Sequence, residues 1–232
     1  MSKEMVLSRE GWKGVQQKLK ALGFYSGKID GRRGPLTDGA IISFKRSVGL
    51  NPRSFFGPLT YEALMKDNAG VSPYPWFEEA RALLGLQEKR DKSRLAKLFK
   101  SVAGIVINPA ETPWCGAFVA TCLRKWNPGE QLPGNPLGAR QWGAYGERCA
   151  PQVGSILTFW RVRKDHWAGH VGFYAGEDAT TYLVLGGNQS DSVSLTRIAK
   201  SRLLESRWPT GITQPRHKGE TKLSGNISRN EA

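Results

Sequence analysis

Three features of this 232-residue chain predict two domains, one all-helical and one α+β. Apolar residues recur at helical spacing through most of the first 126 positions, and strand-like alternation begins only after residue 154. An internal repeat is confined to the first 65 residues. The expected order is a small three-helix bundle over residues 5–68, a linker over 69–75, and a second domain over 76–212. In that domain helices come first and an antiparallel sheet follows, the arrangement of an α+β fold. The last stretch, 213–232, is polar and lacks an apolar face, so it is expected to be disordered.

In the first domain, Gly34-Pro35-Leu36-Thr37-Asp38-Gly39-Ala40 is echoed 23 residues later by Gly57-Pro58-Leu59-Thr60-Tyr61-Glu62-Ala63. Each copy is a Gly-Pro turn leading to a threonine that can cap a helix. The first capped helix turns Ala40, Ile41, Phe44 and Val48 inward, and the shorter second one Ala63 and Leu64. An earlier helix over about 11–22 buries Val15, Leu19 and Leu22, then stops at Gly23. Nothing in this bundle is arranged for catalysis. Pro73, Pro75 and Gly70 mark the linker.

The run Leu22-Gly23-Phe24-Tyr25-Ser26-Gly27-Lys28-Ile29-Asp30-Gly31, followed by the two Gly-Pro-Leu-Thr segments, Phe44 and Gly49-Leu50, resembles the peptidoglycan-binding domain of bacterial wall enzymes. The resemblance implies peptidoglycan as partner. Arg32-Arg33 departs from it, since apolar or aromatic residues usually follow Asp-Gly there, and bears on the binding surface.

Helical periodicity resumes at Trp76, with Phe77, Ala80, Leu83 and Leu84 on one face, and again over about 93–102 with Leu95, Leu98, Phe99 and Val102. Thr112 and Pro113 then read as the N-cap and first residue of a helix reaching Trp126. Cys115 falls in its first turn, where unpaired backbone N–H groups and the helix dipole favour thiolate. The competing reading is a buried structural cysteine. Residues 127–151 form a long loop, with a short helix near 139–145. Strands are expected over 155–160, 169–175, 181–185 and 193–198, with His170, Gly172 and Tyr174 on one face of the second.

If the turn between the second and third strands centres on Asp178, His170 faces position 186, and a small shift moves this to 187 or 188. Asn188 can then hold one imidazole nitrogen, with Gln189 as its substitute. A cysteine nucleophile needs a base, and the base needs a partner that sets its tautomer. Cys115, His170 and Asn188 fit these roles. His166, just before the strand, is the alternative base, whereas His217 lies in the polar tail.

Trp114-Cys115-Gly116-Ala117-Phe118-Val119, Gly154-Ser155-Ile156-Leu157-Thr158-Phe159-Trp160, Gly169-His170-Val171-Gly172-Phe173-Tyr174 and Gly186-Gly187-Asn188-Gln189 are similar to segments of the papain-like wall hydrolases of the CHAP and NlpC kind. The similarity spans about residues 76–210. It implies Cys115 as nucleophile, His170 as base and Asn188 as orienting residue. Ser155 stands where relatives usually carry Asp, and Gly186 where many CHAP enzymes carry Glu, so a four-residue site is not expected. The backbone N–H of Cys115 is the expected oxyanion donor, with Asn108 a weaker second, and Trp114 and Gln189 are the candidate substrate contacts.

The charge of +14 (34 Lys and Arg against 20 Asp and Glu) suits polyanions, the carboxylate-bearing wall among them. It is spread without a run that would mark a nucleic-acid arm, so no nucleic acid is expected. No apolar run approaches the roughly 20 residues of a membrane span, and no membrane insertion is expected. The three cysteines have neither framework nor metal spacing; free thiols, no metal and no cofactor are expected, in a monomer.

A wall-binding module joined to a cysteine amide hydrolase resembles phage endolysins and bacterial autolysins. Met1 to Val6 lack a signal-peptide core, which favours the phage type: held in the host cytoplasm until the membrane is breached, then reaching periplasm and wall. The expected reaction is cleavage of a peptide bond in the peptidoglycan stem or cross-bridge. N-acetylmuramoyl-L-alanine amidase activity with the same triad is the alternative, and a toxin acting on rival walls would share this chemistry. A wall-binding protein with an inert Cys115 is the non-enzymatic reading.

Overall fold

The structure, a computed structural model, describes residues 4–65, 74–212 and 214. Most of the expected linker and nearly all of the expected tail lie outside the described residues, as does His217. The described chain forms two compact units dividing between Pro75 and Trp76, with Thr210 to Ile212 grouped with the first.

The first unit contains α1 (Arg9–Ala21), α2 (Pro35–Ser47) and α3 (Pro58–Met65). Ser8 caps α1 by accepting the Gly11 N–H at 3.1 Å. The helix ends at Leu22, and after the left-handed Gly23 the Phe24 N–H returns to the Leu19 carbonyl at 2.8 Å. The repeated Gly-Pro-Leu-Thr segments depart from expectation. Their prolines begin α2 and α3, where a missing N–H costs nothing, and their threonines lie inside the first turn rather than at the cap. Val15, Leu19, Ile41, Phe44 and Leu64 form the core with Phe24 and Phe56 from the loops.

Gln16 is the polar centre of this unit and is fully buried. Its Oε1 accepts the Gly31 N–H at 2.8 Å. Its Nε2 donates within 3.0–3.3 Å of Asp30 Oδ1, the Arg32 carbonyl, Tyr25 and Thr37. The loop after α1 is thereby sewn to the helix. Arg33 lies over the Trp12 ring, 5.3 Å from its centroid, and donates to Asp38, Glu4 and the Ser54 carbonyl. The departure at Arg33 therefore serves the fold from within.

The second unit opens with α4 (Pro75–Arg81), α5 (Glu88–Leu98) extended by a π-helical turn (Phe99–Ala103), and α6 (Cys115–Trp126). A 3₁₀ turn (Ala139–Ala144) leads to six strands: β1 (Glu147–Arg148), β2 (Ile156–Trp160), β3 (Gly169–Glu177), β4 (Thr181–Gly186), β5 (Ser194–Ala199) and β6 (Leu203–Trp208). They form one antiparallel sheet in the order β1-β6-β2-β3-β4-β5. Helices precede an antiparallel sheet, the α+β order read from the sequence. Two strands were not anticipated: β1 has only two residues, and β6 carries charge at Glu205 and Arg207 that hides its alternation.

Phe118 of α6 and Phe77 of α4 both meet the Phe173 ring of β3 nearly edge-on, at 6.2 and 6.5 Å. Trp76 donates its indole N–H to the Gly154 carbonyl at 2.7 Å and packs between Trp126 and Trp208. A separate apolar cluster includes Leu157, Phe159, Tyr174, Tyr182, Val184 and Ile198. The β3–β4 turn is held by Asp178, which accepts the N–H groups of Thr180 and Thr181 and pairs with Arg197. These bonds hold its carboxyl well below the usual range, led by the backbone donors. Phe173 faces Leu185, two positions further along β4 than a turn centred on Asp178 implies. The turn itself lies later, with Glu177 facing Tyr182, and the bulge at Ala175 takes back one position of that shift.

Gln16→Leu is expected to destabilise the first unit by about 1–3 kcal/mol, since the Gly31 N–H loses its acceptor inside the fold. Denaturant unfolding of the full chain, followed by fluorescence, measures this.

Candidate active site

Cys115 is the first residue of α6, with Trp114 at the cap position and no side-chain cap. Thr112 and Pro113 thus precede the helix rather than start it. The first helical bond, Phe118 N–H to the Trp114 carbonyl at 2.9 Å, leaves the N–H groups of Cys115, Gly116 and Ala117 without helical partners. Backbone N–H groups of Val171 and Gly116 bond toward the sulfur. Val171 directly follows His170 on β3, so the thiol lies alongside the histidine's position on that strand.

Burial decides the thiol's state. It pushes the Cys115 pKa up, against the pull of the Val171 and Gly116 N–H groups and the Arg161 charge. A helix start stabilises an anion by only about 0.3–2 kcal/mol, and here it does not prevail. The thiolate expected from the helix position gives way to the neutral thiol.

His170, 1% exposed, is opposite Phe159 in the sheet register. Its Nε2 is 3.0 Å from Gln189 Oε1. The orientation of that amide follows from its other end. Gln189 Nε2 faces the Ser194 carbonyl at 2.6 Å, the Ser194 hydroxyl at 3.2 Å and the Val184 carbonyl at 3.4 Å. Two carbonyls can only accept, so the amide nitrogen belongs there and the oxygen faces His170. The imidazole must then donate from Nε2, which leaves the lone pair of the neutral ring on Nδ1.

The hydrogen bond expected from Asn188 is therefore made by Gln189. The ladder ends at Gly186, and Asn188, Ser190 and Asp191 take left-handed φ of 57°, 50° and 56°. Asparagine tolerates this conformation, so Asn188 serves the turn that swings Gln189 beneath the imidazole. The turn is clasped by Gln189 N–H to the Ser192 carbonyl at 3.0 Å and Glu88 N–H to the Asp191 carbonyl at 2.7 Å. Two glycines make room. A Cβ at Gly186 would lie 2.8 Å from Gln189 Oε1 and 3.1 Å from His170 Nε2, and one at Gly187 would lie 2.5 Å from the Trp114 ring.

Neither expected substrate contact is available. Trp114 is fully buried, its indole N–H on Glu88 Oε2 at 2.8 Å and its ring near Phe99. Gln189 is 1% exposed and occupied at both ends of its amide. His166 accepts the Ala168 N–H at 3.2 Å, and Asn108 accepts the Ala110 N–H at 3.3 Å; each is used within its own turn. Cys122 is buried in α6, its pKa raised by burial and by Glu79, and Cys149 lies 3.3 Å from the Ser206 hydroxyl.

Cys115 instead opens onto a cleft of about 470 Å³ whose lining includes Thr112, Asn135, Arg140, Arg161, Trp167 and Gly169. Asn135 and Leu137 also line a second hollow of about 450 Å³. The cleft residues were not legible as a site, because they come from the 127–151 loop and the β2–β3 loop. Arg161, next to the predicted strand end at Trp160, carried the one local signal. Among the described residues no three His, Cys, Asp or Glu gather as a metal site. A thiol, an imidazole of set tautomer and an open cleft are the parts of a nucleophile–base pair.

Residues 8–64 match the peptidoglycan binding domain family, which supports an N-terminal peptidoglycan-binding domain and peptidoglycan as partner. No curated protein and no solved structure matches the chain.

Two measurements check the site itself. In ¹⁵N spectra of neutral His170 the proton is expected on Nε2, and Gln189→Ala is expected to give a mixture of tautomers. Alkylation of Cys115 is expected to keep rising with pH beyond the ordinary thiol range of about 8.5, rather than reaching a plateau near pH 6; Cys115→Ser identifies its share.

Proposed function

We propose that this chain is a peptidoglycan hydrolase, in which a wall-binding domain accompanies a papain-like domain that cleaves an amide by a thiol mechanism. The bond is a peptide bond of the stem or cross-bridge. One observation supports the reading: the Gln189 amide sets His170 as its Nε2–H tautomer, directly before Val171, whose N–H bonds toward the sulfur of Cys115 at an open cleft. The peptidoglycan-binding match supplies the polymer.

In this mechanism His170 Nδ1 takes the Cys115 proton and the sulfur attacks the amide carbonyl. The N–H groups at the start of α6, which have no helical partners, receive the developing oxyanion. Collapse breaks the C–N bond, with His170 returning the proton to the departing amine and an acyl thioester left on Cys115. Water, deprotonated by His170, hydrolyses the thioester, and the thiol is restored. Gln189 Oε1 steadies the imidazolium formed in each half, because its bond strengthens when the donor is charged. A burial-raised thiol suits this route, in which the proton leaves as the substrate is attacked. By this reading the protein is a lytic enzyme of the endolysin kind, reaching the wall once the membrane is breached.

Cys115→Ala and His170→Ala are each expected to lower clearing of purified peptidoglycan at least about 1,000-fold, with wall binding retained. Gln189→Ala is expected to cost about 10- to 100-fold in rate. Full clearing by Cys115→Ala overturns the mechanism. Mass spectrometry of the digest identifies the bond: a new amino terminus within the peptides marks endopeptidase cleavage, and lactyl-freed stems beginning at L-Ala mark amidase cleavage.

A further inference from the structure

From the bonds at the start of α5, we propose that Glu88 is a positioning residue for the Cys115–His170 pair. It ties the segment that carries Cys115 to the turn that carries Gln189. The inference rests on the hydrolase reading above.

Glu88 is the first residue of α5 and faces two ways. Its side chain reaches α6: Oε2 accepts the indole N–H of Trp114 at 2.8 Å. Trp114 immediately precedes Cys115, and its carbonyl accepts the first helical bond of α6, from the Phe118 N–H at 2.9 Å. A shift of the indole is therefore passed to the helix start that holds the sulfur. The Glu88 backbone reaches the other partner. Its N–H donates to the carbonyl of Asp191, one of the left-handed residues that turn the chain beyond Gly186.

The neighbours of Glu88 extend this grip. Gln87 pairs with Ser192 in an antiparallel bridge, Gly85 N–H meets the Val193 carbonyl at 2.9 Å, and Val193 N–H meets the Leu86 carbonyl at 2.8 Å. Ser192 in turn holds Gln189, whose N–H it accepts at 3.0 Å and to whose carbonyl its hydroxyl donates at 2.8 Å. The remaining contact closes the ring: a Cβ at Gly187 would lie 2.5 Å from the Trp114 ring, so the chain entering the turn runs against that indole. Cys115 leaves this ring of contacts on one side and Gln189 on the other.

An indole N–H can only donate, and Trp114 is fully buried, so the acceptor on Glu88 fixes where the ring lies. A carboxylate in the first turn of a helix also suits the helix dipole, which is a purely structural use. The two uses ask for different things, since the dipole needs charge and the clamp needs reach. Glu88→Gln keeps the reach and gives up the charge. Glu88→Asp keeps the charge and draws the acceptor back by one methylene.

The test is steady-state kinetics of the full chain on soluble peptidoglycan fragments, at a temperature where thermal unfolding shows each variant folded. Glu88→Asp and Trp114→Phe are each expected to lower kcat about 10-fold with KM within about twofold, as misplaced reacting groups do. Glu88→Gln is expected to recover most of that loss. The Glu88→Asp, Trp114→Phe double variant is expected to be about as slow as the slower single one, because both changes remove one bond. Wild-type kcat in Glu88→Asp, a larger loss in Glu88→Gln than in Glu88→Asp, or losses that multiply in the double variant overturn the inference and leave the hydrolase reading standing. Should Trp114→Phe not fold, the order of the two Glu88 variants still decides. If the wild type cuts neither the fragments nor purified peptidoglycan, the hydrolase reading fails and the inference falls with it.

Discussion

The second unit's candidate site depends on one hydrogen-bonded amide. Gln189 is anchored at its nitrogen by the Ser194 and Val184 carbonyls, so its oxygen has no choice but to face His170. This link converts sheet geometry into chemistry. Backbone carbonyls, fixed by the β4–β5 pairing, dictate which imidazole nitrogen keeps a lone pair. Bare glycine at 186 and 187 belongs to the same device, since a side chain at either position would push on the amide or on Trp114.

A competition between burial and polarity runs through the rest of the site. The start of α6 supplies N–H groups that favour an anion, yet α6 is buried from Cys115 through Leu123 and desolvation prevails at the sulfur. The outcome is a neutral thiol at the start of a helix. The first unit resolves the same competition differently, surrounding the buried Gln16 with partners until its amide is satisfied.

Much of the fold was legible because periodicity is local. The helices ending at Leu22 and Trp126, and the strands around Phe159, Phe173 and Val184, follow from apolar spacing alone. The short β1 and the charged β6 were not, since their pairing with distant strands, rather than their own pattern, makes them strands. Cys115 and His170 could be singled out by residue type and position. The choice between Asn188 and Gln189 could not, because a bulge at Ala175 and a left-handed turn after Gly186 shift the chain by amounts that no pairing rule carries. Trp114 looked available to a substrate only until Glu88, from another helix, took its indole N–H.

By itself the amino-acid sequence determined the order of helices and strands, the duplicated Gly-Pro-Leu-Thr of the first unit, and the identity of a thiol and an imidazole worth pairing. These depend on short-range spacing and on side-chain chemistry. The tertiary structure alone decided which amide serves His170, that Cys115 rests as a thiol, and that Arg140 and Arg161 border the cleft. Each of those depends on burial and on contacts between segments far apart in the chain, and neither is written in any local stretch of residues.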